Sequence, residues 1–171
     1  DRSDGKLLST EKFAKVNWAT GIDPKTGRPI EREGARYEDG EELIWPSPFG
    51  AHGWHAMSYS PKTGLAYIPK QEIPAVFNDT EVKMVDWRSP YFTLDAAVDM
   101  GLDGDVPKDV ATSSLLAWDP IRQTKVWEVA QPEFWNAGTM VTAGDLVFQG
   151  GVTGEFAAYH ARTGEKLWSV N

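Results

Sequence analysis

Cysteine is absent from the 171 residues, which removes disulfides, thiolate nucleophiles, zinc knuckles and C-x-x-C-H haem attachment from the chemistry these residues can perform. Long apolar runs are absent too, and no stretch approaches the length that crosses a bilayer as a helix. Positive charge is scarce: 17 Lys and Arg stand against 25 Asp and Glu, for a net charge of −8 and a pI of about 4.9. Such a chain repels phosphate backbones, which argues against nucleic acid as a partner, and no basic amphipathic stretch points to a membrane surface. Nor is there a G-x-S-x-G elbow, a P-loop or a G-x-G-x-x-G, so nothing supports hydrolysis or phosphoryl transfer. What the chain has in plenty is tryptophan, with eight, and glycine, with 16, in a composition 41% hydrophobic. That mixture favours turns and stacked aromatics over long helices.

The tryptophans are spaced with a purpose. Ala158 to Trp168, AYHARTGEKLW, contains a small residue where layers must approach, a Thr163-Gly164 turn and a large flat ring. Moved 41 residues upstream, the same frame falls on Ala117 to Trp127, AWDPIRQTKVW, with the Ala and Trp repeated. Weaker copies keep the turn: Asp1 to Gly5, Asp23 to Gly27 and Ser60 to Gly64 each place a polar residue four positions before Gly, whereas Asp119 to Gln123 has lost the Gly. A period near 40 with a recurring turn predicts an all-β architecture of small repeated sheets, of the β-propeller kind.

Taken in order, Lys6 to Ser9 and Phe13 to Trp18 read as short strands, Ile22 leads into the Asp23 turn, and Arg28 to Glu42 reads as a solvated polar loop. Trp45-Pro46-Ser47-Pro48-Phe49-Gly50-Ala51-His52-Gly53-Trp54-His55 is too rich in Pro and Gly for a helix or a plain strand. Ala56 to Tyr59 and Leu65 to Pro69 predict a hairpin with Tyr67 and Ile68 buried. Residues 74–110 break the rhythm and read as an insertion, with a short helix over Asp95 to Met100. From Ser114 the strands are regular: Leu115 to Trp118, Val126 to Val129, Leu146 to Gln149, Phe156 to Tyr159 and Leu167 to Val170. Beginning within a turn unit at Asp1 and ending past a strand at Asn171, the chain has the look of a piece of something longer.

Among candidate sites, His52-x-x-His55 lacks a third metal ligand nearby and reads as local packing. Asp99, Asp103 and Asp105 hint at a calcium loop, but Gly101 occupies a ligand position and Val110 stands where the closing Glu belongs, so an acidic solvated loop is the better reading. Asn78-Asp79-Thr80 matches a glycosylation sequon, a pattern frequent by chance. Most tryptophans read as packing between layers. Trp54 and Trp135 are the exceptions, since each sits in a Gly-rich irregular stretch away from the docking position of the repeat.

Four stretches carry a resemblance: Val16 to Ile30 (VNWATGIDPKTGRPI), Pro48 to Pro69 (PFGAHGWHAMSYSPKTGLAYIP), Leu116 to Trp127 (LAWDPIRQTKVW) and Trp135 to Trp168, WNAGTMVTAGDLVFQGG through EKLW. In this ordered set the chain resembles the quinoprotein alcohol dehydrogenases that use pyrroloquinoline quinone (PQQ), most closely their quinohaemoprotein branch. The resemblance implies an arc of about three to four blades of an eight-bladed β-propeller over residues 1–171, locked by Ala-to-Trp docking motifs. It implies oxidation of a small alcohol by hydride transfer to the quinone, with Ca²⁺ as Lewis acid and a cytochrome or quinone as electron acceptor, in the periplasm. Gly53, Trp54 and Trp135 fall at cofactor-binding positions. The family has Asn at position 53, whose amide meets the cofactor and which Gly cannot supply, and Ala137 stands where family members have Gly. The catalytic Asp, the calcium ligands, a vicinal Cys pair and a basic quinone contact belong to family segments before Asp1, and a haem c domain, where present, follows Asn171. This segment is thus expected to hold no catalytic or metal-ligating residue and to be inactive alone. The competing expectations are a non-catalytic propeller scaffold, which the Gly at 53 favours, and a carbohydrate-binding propeller, for which no motif speaks.

Overall fold

The computed structural model describes residues 1–37, 39–78, 97–99 and 110–171. Its strands are β1 (Ala19–Ile22), β2 (Pro29–Glu31), β3 (Glu42–Ile44), β4 (Ser58–Ser60), β5 (Leu65–Glu72), β6 (Ala75–Asn78), β7 (Ala97–Asp99), β8 (Thr112–Asp119), β9 (Thr124–Ala130), β10 (Asn136–Val141), β11 (Leu146–Gly151), β12 (Phe156–His160) and β13 (Lys166–Val170), with no α-helix among the described residues. Two sheets are four-stranded, β4-β5-β8-β9 and β10-β11-β12-β13, and all their pairings are antiparallel. A pair, β1-β2, and a trio, β3-β6-β7, complete the architecture.

The recurring turn is built as its residues dictate. Asp23 accepts hydrogen bonds from the Lys25 amide (2.8 Å) and the Thr26 hydroxyl (2.9 Å), and the Gly27 amide closes onto the Asp23 carbonyl (2.8 Å). The Gly64 amide closes onto Ser60 and that of Gly164 onto His160 in the same manner. Where Gly is lost, Gln123 takes the left-handed backbone itself at φ 52°, a conformation costing about 1 kcal/mol for a side chain of this kind. The 41-residue repeat holds in register as well as in sequence. Ala117 faces Trp127 and Ala158 faces Trp168 across their ladders, and each ladder shifts directly after the Ala.

The core lies between the two four-stranded sheets. Leu65, Tyr67, Leu115, Ala117 and Trp127 from one pack against Val147, Ala157, Tyr159 and Ala161 from the other. Trp127 lies over Gly164 so closely that an added Cβ would meet its Cε3 at 2.7 Å, and its indole N–H donates to the Ala161 carbonyl at 3.0 Å. The Tyr67 hydroxyl donates to the same carbonyl, also at 3.0 Å. Burial pushes the Tyr67 phenol above its usual range. Trp168, the counterpart of Trp127, is half exposed on the far face of its sheet beside Phe156.

Three sequence readings are corrected. Lys6 to Ser9 and Phe13 to Trp18 are not strands. In the second run Phe13 packs edge-on against Trp118 and Lys15 lies over Trp45, and among the described residues neither run joins a strand ladder. Residues 97–99 are not helical: they form β7, paired with β6 through Val76↔Asp99, Phe77↔Val98 and Asn78↔Ala97, so ladder bonds prevail over local helical preference. The rest of that expected helix, Asp103 and Asp105 of the acidic loop, and Asp79 and Thr80 of the sequon lie outside the described residues. The polar stretch 28–42 is also more than a solvated loop, since β2 lies within it and Arg32 reaches back to the Asn17 carbonyl and to Glu42.

Candidate functional site

The irregular stretch 45–56 is held between two sheets by backbone hydrogen bonds. At one end the Ser47 amide donates to the Ile73 carbonyl and the Gln71 amide to the Ala51 carbonyl, both at 2.8 Å, which fastens the loop to the end of β5. Gly50, at φ 75°, lets the chain double back, where a Cβ would lie 3.2 Å from the His52 carbonyl. At the other end the Thr139 amide of β10 donates to the Ala56 carbonyl at 2.8 Å, and Gly138 allows this approach because a Cβ there would lie 2.9 Å from the Ala56 nitrogen. The Thr139 hydroxyl bonds to the Ser58 hydroxyl at 2.8 Å and to the Tyr67 carbonyl at 3.0 Å.

This seam brings Trp54 and Trp135 into one aromatic array through His55, whose packing is local, as expected of the His52-x-x-His55 pair. His55 stacks on Trp54, with centroids 4.3 Å apart and planes at 23°, and meets Trp135 edge-on at 5.5 Å and 80°. Phe49 and Phe134 approach Trp135 from further directions, at 5.3 Å and 6.4 Å. Trp54 is 86% exposed, so the face not covered by His55 is open. A flat, open aromatic surface of this type binds a planar conjugated ligand by stacking. His52 turns its Nε2 to the His55 carbonyl at 2.7 Å, the local packing expected of it, and among the described residues no group of three His, Asp or Glu side chains converges as a metal site.

Beneath the array the chain places polar groups. Asn136, next to Trp135 and fully buried, donates from Nδ2 to the carbonyls of Lys70 (3.2 Å) and Ser114 (3.1 Å), which anchors Trp135 to the β5-β8 ladder. Gln71 is fully buried beneath Gly53, and its amide nitrogen and oxygen both lack a partner, as do His55 Nδ1 and Asn136 Oδ1. On the opposite face of β5 the Lys70 ammonium lies 2.7 Å from Glu128 and 3.0 Å from Glu72. Burial pushes the Lys70 ammonium down, but the two carboxylates outweigh it and the net shift is upward. Burial likewise raises Glu128, and hydrogen bonds from Lys125, Lys70 and Ser114 overcome it to hold the carboxyl at about 2. The backbone of β5 is thus locked from both faces.

No family model matches the chain. The quinohemoprotein alcohol dehydrogenase ADH IIB of Pseudomonas putida is 51% identical to it over 168 residues, which are 98% of this chain and 24% of that protein. The quinohemoprotein alcohol dehydrogenase of Comamonas testosteroni is 42% identical over 173 residues, 99% of this chain and 24% of that one. The solved structure of quinohemoprotein alcohol dehydrogenase ADHIIG from Pseudomonas putida HK5 superposes with a TM-score of 0.86 at 37% identity, covering 99% of this chain and 26% of its own. The all-β sheets are therefore an arc of the propeller found in these enzymes, and the chain spans about a quarter of the length of the relatives it matches.

Proposed function

The chain belongs to the quinoprotein alcohol dehydrogenase family, as a segment of about a quarter of its members' length, and from that we propose that the whole protein oxidises small alcohols to aldehydes with PQQ. The quinone, when bound, supplies the hydride acceptor, with calcium polarising its carbonyl as a Lewis acid. The observation that carries the reading is the Trp54-His55-Trp135 array. Its open indole face fits a planar ligand. Trp54 would cover one face of the ring, and Trp135, held by Asn136, would set the angle of the wall.

In this reading residues 1–171 form one partial propeller interrupted by the insertion near 74–110, and the Trp127-over-Gly164 contact is the docking motif between blades. Calcium ligands and the catalytic base come from elsewhere in the whole protein, so the segment alone turns nothing over. A periplasmic location, a cytochrome or quinone electron acceptor and a haem domain complete the proposal.

Titration of the full-length apoprotein with PQQ and Ca²⁺, followed by tryptophan fluorescence, tests it. Saturable quenching is expected, weakened at least about ten-fold in Trp54→Ala and Trp135→Ala, the scale of one lost base-to-aromatic stack. The second reading, a scaffold that never binds quinone, is favoured by the missing side chain at Gly53, and a full-length protein without quenching would establish it over the first.

A further inference from the structure

A regular strand keeps the residues of one face two apart, yet β10 buries Asn136 and Thr139, which are three apart. The ladder shows why. Asn136 faces Gly151 and Thr139 faces Gln149, so Ala137 and Gly138 together stand opposite Gly150 alone, a β-bulge of one extra residue. Paired regularly, the same residues would set Ala137 against Gly151 and turn Trp135 to the face of Thr139, into the layer between the sheets. The bulge gives that place to Asn136 and leaves Trp135 to meet the ring of His55. A buried side chain latches it. Gln149, the cross-strand partner of Thr139, donates from Nε2 to the carbonyl of Ala137 in the bulge at 2.9 Å. Its Oε1 accepts from Gln131 Nε2 at 3.0 Å, which fixes which end of the amide turns to the bulge. Gln131 is anchored in turn, its backbone N–H donating to the Ser113 carbonyl at 2.9 Å. Burial alone would favour an apolar residue at 149. A glutamine is tolerated there because both ends of its amide are paired, and one of the two partners is the bulge.

We propose that Gln149 is a positioning residue for the bound ligand: by latching the bulge at Ala137 it sets the side on which Trp135 stands, and so the wall that the ligand meets. The inference rests on the quinone reading above and adds to it a residue outside the aromatic array. Gln149 acts through the backbone. While its amide holds the Ala137 carbonyl, the Asn136 side chain stays on the carbonyls of Lys70 and Ser114, and Trp135 keeps its edge-on contact with His55. Gln131 acts one step further back, by keeping the donor end of the Gln149 amide toward the bulge.

The test uses the full-length protein, two readouts and a check of folding by thermal unfolding. In the apoprotein, the emission of Trp135, taken as the difference between each protein and its Trp135→Phe counterpart, reports the latch with no quinone present. Gln149→Met, close in volume but without the amide, is expected to shift that emission to the red. With PQQ and Ca²⁺ added, the same variant is expected to weaken the affinity read from quenching about ten-fold, the scale of one buried hydrogen bond. Gln149→Glu, which sets a carboxylate against the Ala137 carbonyl, should weaken it at least as much. In a Trp135→Ala background either substitution should cost no more than about two-fold, because no wall is left to place. Gln131→Met keeps the latch but frees its amide to flip; it is expected to weaken binding about three-fold, the low end for a hydrogen bond, and it decides the matter if the Gln149 variants do not fold. Equal losses with and without Trp135 would make Gln149 merely structural and overturn the proposal. So would an unfolding temperature that falls while Trp135 emission and affinity stay unchanged. Wild-type protein that shows no saturable quenching refutes the quinone reading itself, a separate result that the emission shift distinguishes from failure of the latch.

Discussion

Replacing Gly164 by Ala asks how much of the adhesion between the two four-stranded sheets passes through one contact. The backbone there is at φ 74°, and a Cβ would stand 2.7 Å from Cε3 and 2.8 Å from Cδ2 of Trp127. The left-handed conformation alone costs Ala about 1 kcal/mol. Forcing the indole aside adds ~1–3 kcal/mol of overpacking. A displaced ring also lengthens the 3.0 Å bond from its N–H to the Ala161 carbonyl, for about 1 kcal/mol more. The expected total is ~3–5 kcal/mol. Gly64 is the control: its φ is 75° and nothing lies within 4 Å of its Cβ position, so Gly64→Ala should cost only ~1 kcal/mol. Guanidinium unfolding of the full-length protein, read by tryptophan emission, gives both values. In a Trp127→Ala background the two glycine substitutions should become equivalent. If Gly164→Ala costs no more than Gly64→Ala in the unaltered protein, the contact is not what holds the sheets together and the reasoning fails.

Two further outcomes follow from buried polar groups. Glu128→Gln should lower stability at neutral pH: the carboxyl is held at about 2 against an ordinary 4.5, so its contribution is complete above that ordinary value and is lost as pH falls through the held one. The stability gap between the two proteins, followed by denaturant midpoints across that range, should therefore close on acidification, and a gap that stays constant would refute the role of the charge. Asn136→Ala removes hydrogen bonds of 3.2 Å and 3.1 Å from two buried carbonyls, and should cost ~2–3 kcal/mol in thermal unfolding. It should also loosen Trp135, which a red shift of fluorescence against Trp135→Phe would report.

Much of this was legible because it is local. The D-x-x-x-G turns, the Ala-to-Trp spacing and the hairpins each lie within a dozen residues, and local turn chemistry decides them. The trio β3-β6-β7 was not legible, because it pairs segments about 30 and 20 residues apart whose edges match only once folded. Trp54 and Trp135 stood out as large rings among glycines, and the structure joins them. Gln71 did not: it lies past Pro69, where the expected strand ends, although strand alternation puts it on the buried face with Tyr67. The packing of His55 is legible in the missing third ligand, but not that its ring is the spacer between two indoles.

The seam through Thr139 makes the site a caliper. One jaw, Trp54, rides on a loop fastened to β5, and the other, Trp135, rides on the lead-in to β10 in the next sheet. The opening between the jaws is therefore a reading of the tilt between two sheets, magnified at their rim. A substitution deep in the layer between them, at Trp127 or Gly164, would reset that opening without touching either jaw.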